Sequence, residues 1–532
     1  MPSGLIVAPL VGLLIWAVVR IYMMGSRDPN LPPGPPTIPV LGNAHLWPTK
    51  QVYLQFTEWM KAFGDIYSLK IGDQTMILNT PRLVHLLLDQ RTAATADRPP
   101  IFLVQYINPY NVPLMRHGPM WKEYRRVFRE ILSREACVAH MPLQHAEASQ
   151  LMYDLLKEPE NFFTHIRRYS SSLILSVAFG LRCPRYKNSY ISRFFVVQRE
   201  NDTIFGPGGT PPLDIFPILK YVPERWAKWK TVAKRIKHHH RALWFDLLAV
   251  VEKRISDGKR QGCFMEDMRD RQGRDGFDRN SVAFIGSNLM EAGSDTTSIV
   301  LQWFMSMMTA YPEVRKRAQK EIDEVVGSSR SPTFDDWDSL PYVQAIIKEV
   351  HRFRPIVPQL LPHRNTEDTV IDGYVIPSGS TVFINFWGIN HDPEAFDHPE
   401  VFNPDRFIRS EFGTREGADN FGRRDDLLFG SGRRSCPGMD LAVNSIKINA
   451  MNLLWGFDFD LAQDASGKPI PIDLNDTTDG VLLTQKPFKC VITPRSSKHV
   501  EVMRGNYASA RDVFVQFEHE LTDSEREYVA KW

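Results

Sequence analysis

Cysteine is scarce in this chain. Cys137, Cys183, Cys263, Cys436 and Cys490 are the only 5 in 532 residues. They lie far apart, are odd in number and contain no CxxC pair. That excludes a disulfide framework and a structural zinc site, and it fits a reducing compartment. Four of them, Cys137, Cys183, Cys263 and Cys490, read as small buried apolar residues. An excess of one charge is missing as well. The 64 basic and 62 acidic side chains leave a formal net charge of +2, so nothing marks a nucleic-acid binder. No internal repeat occurs, and the chain is long enough for a large buried core.

One long charge-free run of mostly apolar residues opens the chain. Leu5 to Val19 reads LIVAPLVGLLIWAVV, followed by Arg20 and, further on, Arg27. Extended to Met24, the run would make a helix about 30 Å long, the thickness of a bilayer core. Residues 1–26 are therefore expected to be a transmembrane anchor, with Arg20 snorkelling to the interface. A cleaved signal peptide is the rival, weakened by the lack of a preceding positive segment. The arginines after the run place the bulk of the chain in the cytosol. Residues 27–45 form a proline-rich hinge, with Pro32, Pro33, Pro35, Pro36 and Pro39 in LPPGPPTIPVLGN. Such a run suits a stiff spacer. A body over 46–494 and a tail over 495–532 of unassigned role complete the division.

The body reads as mainly α with small β-sheets (α+β). YSLKIGDQTMILNT (67–80) alternates like a hairpin, and 369–385 looks like two short strands around Pro377–Gly379. A long apolar helix is expected over 281–311, with Pro312 at its end. Residues 256–280 are charged and read as a surface connection. Residues 205–223 are rich in Gly and Pro yet apolar, which suits a lid or a membrane-touching surface, or a plain buried connection.

Against this background one cysteine is framed tightly, in FGSGRRSCPG at 429–438. A thiolate can ligate a soft metal, and a helix N-terminus and nearby N–H groups stabilise its charge. Pro437 suits a first helical turn, and an apolar-periodic run follows. Gly430, Gly432 and Gly438 remove Cβ atoms near the thiol. Arg434 offers a guanidinium to an anionic carboxylate. Together these describe a heme-thiolate site.

The segment resembles the FxxGxRxCxG pattern of the cytochrome P-450 superfamily at Phe429, Gly432, Arg434, Cys436 and Gly438, and other hallmarks follow in order over nearly the whole chain. AGSDTT (292–297) is similar to (A/G)Gx(D/E)T, which implies that Asp295 and Thr296 support proton delivery during dioxygen activation. EVHR with the later NPDRF implies a buried structural network of Glu349, Arg352 and Arg406. WKEYR fits WxxxR and implies that Arg125 and Trp121 contact a heme propionate, with His363 of LLPHR beside them. Lys122, Arg126, Arg129 and Lys447 lie on elements expected on the cysteine side of the heme, where a basic face would dock an acidic electron carrier.

The resemblance implies the cytochrome P-450 fold and a heme b whose iron is held by Cys436. It further implies a monooxygenase that inserts one atom of O2 into a lipophilic small molecule. No flavin or ferredoxin region is appended, so electrons from NADPH are expected through NADPH–cytochrome P-450 reductase, with cytochrome b5 as a second donor. The family's substrate-contacting stretches map to Phe102 and Tyr106, to Phe284, Ile285 and Leu289, to Ile356, Val357 and Leu360, and to Val481. The general wording resembles fungal members of secondary metabolism at the endoplasmic-reticulum membrane, single-pass, with a cytosolic body. Two alternatives stand beside this reading: a heme-thiolate isomerase or dehydratase that does not use O2, and a non-enzymatic membrane-bound heme sensor. The sequons at Asn201 and Asn475 would stay unmodified in a cytosolic body.

Overall fold

Helices carry most of the chain, and the strands are short and fall into three small sheets. The computed structural model describes residues 4–205, 209–478 and 480–532. Helix α1 spans Gly4–Met23, and its Leu13, Leu14, Ile15, Trp16, Val18 and Val19 stay exposed. The expected transmembrane anchor is not supported: among the described residues no helix is long and apolar enough to cross a membrane. Residues 1–3 of the expected anchor lie outside the described residues.

The proline segment lies on the body instead of spacing it from anything. Ser68 donates its N–H to Pro33 O at 2.8 Å and its hydroxyl to Pro32 O at 2.6 Å. The buried Asn43 donates to Pro35 O and Pro36 O. These bonds fix the segment along β1 (Ile66–Ile71), which pairs with β2 (Asp73–Leu78) in the expected hairpin. Between 369 and 385 the structure has three strands, not two. β4 (Thr369–Ile371) and β5 (Tyr374–Ile376) form a hairpin whose turn, Asp372-Gly373, has φ of 48° and 80°. Asp-Gly favours a type I′ turn because both residues tolerate the left-handed region. β6 (Thr381–Ile384) joins the first sheet instead, parallel to β2 and antiparallel to β3 (His363–Arg364). β7 (Phe457–Leu461) and β8 (Cys490–Pro494) make the third sheet.

The helices that position the site follow in chain order: α2 (Pro119–Ile131), α3 (Arg134–Lys157), α4 (Phe162–Phe179), α5 (Ser189–Phe205), α6 (Lys228–Ser256) and α7 (Arg279–Ala310), then α8 (Pro341–Phe353) and α9 (Met439–Gly456). Helix α7 is the axis. Asp278 caps its start by accepting from Ser281 N at 2.7 Å. It stops before Tyr311-Pro312, because the residue preceding proline avoids the helical region. It packs on α4 where Gly293 sits: a Cβ there would lie 2.8 Å from Ile174. Ser170 of α4 donates to Ser294 O across the same crossing. Trp303, Phe304, Tyr169, Leu151 and Met451 fill the core between α7, α4, α3 and α9. Residues 256–280 are more than a surface connection. They hold a helix, Phe264–Arg271, whose Phe264, Met265 and Met268 are buried.

The tail, unassigned from sequence, is a clamp. α10 (Ser497–Phe514) packs against α3, and α11 (Asp523–Lys531) begins with a Thr522–Glu525 capping box. Tyr507 stacks on Tyr153 at 4.3 Å between ring centroids. Trp532 donates to Asp154, and Asn188 donates to Glu525. Asp154 belongs to a buried ionic cluster in which Arg168 bridges Asp154 and Glu147, and Arg182 bridges Glu147 and Glu518. The Arg182 guanidinium lies 3.4 Å from the ring centre of buried Phe514. Phe514→Ala is expected to lower stability by about 3–5 kcal/mol, read as a drop in the thermal unfolding midpoint of the purified protein.

Candidate active site

The Cys436 loop is built by backbone closure. Cys436 donates its N–H to Phe429 O at 2.7 Å, and a 3₁₀ turn over Gly432–Arg434 fills the loop. Gly432, at φ 57°, serves a close approach of protein to protein: a Cβ there would lie 2.4 Å from Leu88 O. Asp89 and Thr92 accept from the N–H groups of Gly432 and Arg433. At Gly438 a Cβ would make only ordinary contacts, 3.8 Å from Leu132 and 4.0 Å from the Cys436 Sγ, so packing within the protein does not demand glycine there. The Cys436 thiol is open to a water-sized probe, yet burial pushes its pKa up, with the Gly438 N–H and the Arg125 charge opposing. Both hold for a side chain that lines an internal hollow. The other thiols are sealed or packed, and burial pushes Cys137 and Cys263 up to about 11 and Cys490 to about 12.

Cations gather beside this loop without an anion of their own. Trp121 and Arg125 share one face of α2, and the Arg434 guanidinium lies 4.1 Å from the Trp121 ring. Arg125 donates to Ser435 O and keeps a buried Nε unpaired. Arg434 donates only to carbonyls, of Ala96, Val112 and Met115. His363, on β3, is buried with Nδ1 2.9 Å from Thr95 O. The structure adds Arg98, a residue the sequence reading missed. It donates to Pro113 O, Leu361 O and Pro362 O.

Burial, then the Arg434 charge, pulls the Arg98 guanidinium down to about 9. Burial pulls Arg434 to about 9 and Arg125 to about 10. Burial and the charges of Arg98 and Arg434 hold His363 well below its ordinary value. The nearest carboxylate, Asp97, already binds Arg116 and the His117 N–H. Three buried guanidiniums without a carboxylate are costly unless an anion joins them. The two propionates of a heme, with the Cys436 thiol open nearby, fit that need. Only Arg98 lacked a sequence signal, because the burial that gives it this role is tertiary.

On α7, Ala292 is exposed, and Glu291, Gly293, Asp295 and Thr296 are half-buried between the buried stretches 281–290 and 297–309. Thr296 donates its hydroxyl to Ala292 O at 2.6 Å, and the helix stays continuous. Burial raises the Asp295 carboxyl, opposed by a bond from Gln198 to Oδ2 at 3.1 Å. Glu349, Arg352 and Arg406 come together as one buried unit. Arg352 binds Glu349 through two bonds of 2.7 and 2.8 Å. Arg406 reaches Glu349 at 3.2 Å, and the Asn403 N–H adds a bond of 2.7 Å.

The expected substrate residues divide. Ile285, with no exposed surface, and Phe284 and Leu289 pack into a core cluster; Phe284 stacks on Tyr110. Residues 281–290 of α7 are all buried, Phe284 and Leu289 keeping 5% of their surface each. Phe102 and Tyr106 pack the short helix Phe102–Ile107 against Trp229 of α6. Leu360 and Val357 join the core around β2 and β6. Ile356 packs on the central core, and its carbonyl accepts from Leu483 N. Val481 is 51% exposed; Asp479, within the same expected stretch, lies outside the described residues. On the expected docking face Lys122 and Arg129 are exposed, but Arg126 is tied to Glu123, Glu130 and Asp275. Lys447 covers Trp337.

A family model described as cytochrome P-450 matches residues 32–492. A cytochrome P-450 monooxygenase of Armillaria gallica is 44% identical over 511 residues, 96% of this chain and 98% of its own. The cytochrome P-450 monooxygenase macC of Penicillium terrestre is 34% identical over 524 residues, 95% of this chain and 97% of its own. Among solved structures, a zebra fish cytochrome P-450 with progesterone is similar at a TM-score of 0.69 and 25% identity, over 84% of this chain and 100% of that chain.

The cation cluster and the Glu349 unit make separate predictions for cofactor retention. Arg98→Ala is expected to weaken heme binding roughly 10- to 100-fold through loss of charge-assisted bonds, read as faster transfer of heme to an acceptor protein. Glu349→Gln leaves two buried guanidiniums short of their carboxylate and is expected to cost about 3–5 kcal/mol, read as a lower unfolding midpoint.

Proposed function

The chain belongs to the cytochrome P-450 family and is a monooxygenase, and from that premise we propose that it inserts one oxygen atom of O2 into a lipophilic small molecule of fungal secondary metabolism. The observation that carries this reading is the open thiol of Cys436 beside buried guanidiniums that lack an anion. Cys436 would hold the iron, and Arg98, Arg125, Arg434, Trp121 and His363 would hold the propionates. When bound, the heme-thiolate supplies dioxygen activation and oxygen insertion into a C–H or C=C bond.

The protein's own part is placement and protons. Thr296 spends its hydroxyl hydrogen on Ala292 O, so its lone pairs are free to accept from water. Asp295, whose carboxyl burial shifts toward the protonated form, stands one residue away. The exposed Ala292 leaves room beside them. That the named relatives are fungal supports the metabolic setting. The similarity to a zebra fish protein solved with progesterone, a steroid, supports a lipophilic substrate class.

Electrons would come from NADPH through an external reductase, docked on the exposed Lys122, Arg129 and Arg433. Membrane attachment at the endoplasmic reticulum, with the body on the cytosolic side, is supported by the exposed apolar face of α1. Exposed Ile218, Tyr221 and Trp226 add a second apolar surface; residues 206–208, within the same expected segment, lie outside the described residues. Exposed apolar groups of this size mark contact with lipid or protein.

The reduced protein with carbon monoxide is expected to show the red-shifted Soret band of thiolate-ligated heme, and Cys436→Ser to lose it; a histidine-type band in folded protein overturns the reading. Thr296→Ala is expected to keep consuming NADPH while the product formed per NADPH falls roughly tenfold or more, with hydrogen peroxide taking up the difference. Unchanged coupling would favour chemistry that does not use O2.

A further inference from the structure

Helices α5 and α6 lie over α7, and between the three runs a ring of polar side chains. Trp244 of α6 donates Nε1–H to His240 Nδ1 at 3.3 Å, which leaves the histidine's proton on Nε2. That nitrogen faces the Asn201 amide of α5 at 3.3 Å. The amide oxygen accepts that proton, and the same side chain lies 3.4 Å from Gln198, which donates to Asp295 at 3.1 Å. Glu291 stands one turn before Asp295 on α7 and closes the ring only by proximity. Its Oε1 is 3.7 Å from His240 Nδ1, a nitrogen already occupied by the Trp244 N–H and carrying no proton to give. Glu291 Oε1 is buried without a hydrogen-bond partner.

An unpartnered carboxylate in an enclosed place costs several kcal/mol, so the group is neutral there. Burial pushes its pKa up to about 8 and holds His240 at about 4. The Glu291 side chain is still 17% exposed although Oε1 is sealed. Ala292, the next residue on the helix, is exposed. A neutral carboxyl both donates and accepts, and among the described residues no hydrogen bond engages Oε1.

We propose that Glu291 is a substrate-orienting residue whose carboxyl binds a hydroxyl or carbonyl of an otherwise lipophilic substrate, so that the substrate carries a neutral oxygen function away from the carbon being oxidised. The inference rests on the monooxygenase reading and narrows its substrate class. A carboxylate substrate is disfavoured, since it would bring a further negative charge to the buried carboxyls of Glu291 and Asp295. His240, fixed by Trp244 and Asn201, keeps the roof from collapsing onto the carboxyl.

The test uses the full-length holoprotein and imidazoles N-linked to alkyl chains of graded length that end in methyl, hydroxyl or ammonium, titrated by the heme spectrum. The imidazole fixes one end at the iron and sends the other toward the roof. At one chain length the hydroxyl-ended ligand is expected to bind roughly fivefold to tenfold more tightly than the methyl-ended one. Glu291→Leu is expected to remove that preference while methyl-ended binding stays within about twofold. Glu291→Gln, which keeps a donor and an acceptor, is expected to retain it, and serves as the folded control if the leucine variant takes up no heme. In that event Glu291→Ala replaces it. No hydroxyl preference at any length, a preference that survives in Glu291→Leu, or ammonium outranking hydroxyl overturns the proposal. A wild-type protein with no thiolate-type carbon monoxide band, or no response to imidazole, overturns the monooxygenase reading itself.

Discussion

Positive charge held out of water without its own counter-charge is the constraint around which this protein is arranged. Arg98, Arg125 and Arg434 arrive from three distant parts of the chain, and carbonyl oxygens are the partners they find there. Carbonyl dipoles soften the burial of a guanidinium but do not neutralise it. The fold therefore carries a built-in demand for an anion beside the Cys436 thiol. In a family that binds heme, propionates would meet that demand, and cofactor binding would then stabilise the fold. The Glu349 unit shows the opposite solution, in which two guanidiniums and a backbone N–H share one carboxylate.

The same contrast explains what could be read from sequence. Cys436, Glu349, Arg352 and Arg434 sit in short motifs because their chemistry fixes both residue type and local spacing. Arg98 does not, since only the meeting of residues 98, 113 and 361 buries it. The helix Phe264–Arg271 was hidden by its charged neighbours, although Phe264, Met265 and Met268 mark one apolar face. The Asp372-Gly373 turn was legible and overlooked in favour of the nearby proline. Exposure varies sharply along α7. Ile285 belongs to the right helix but has no exposed surface, whereas Glu291 and Ala292, about two turns later, keep part of their surface open.

Packing around α7 ties these levels together. Gly293 brings α4 close, and Ser170 secures the crossing with a bond to Ser294 O. The next residues, Asp295 and Thr296, inherit a fixed height relative to the core. The C-terminal clamp acts on the far side of α3 through Asp154 and Arg182. It steadies the helices behind the site without touching it.

The four-stranded sheet adds a dimension of time. β1 and β2 meet through a one-glycine turn and can pair as soon as they are made. The strand that covers the open edge of β2 is β6, where Thr381 faces Thr75, about 300 residues further along the chain (381 against 75). Until then that edge offers unpaired N–H and C=O groups, the situation that invites wrong partners during synthesis. The outer edge of β1 is spared this exposure. The segment carrying Pro32 and Pro33 precedes the hairpin and docks on Ser68, and proline has no N–H with which to recruit another strand. The proline-rich entrance to the body thus works as an early shield, leaving the growing chain one vulnerable edge instead of two.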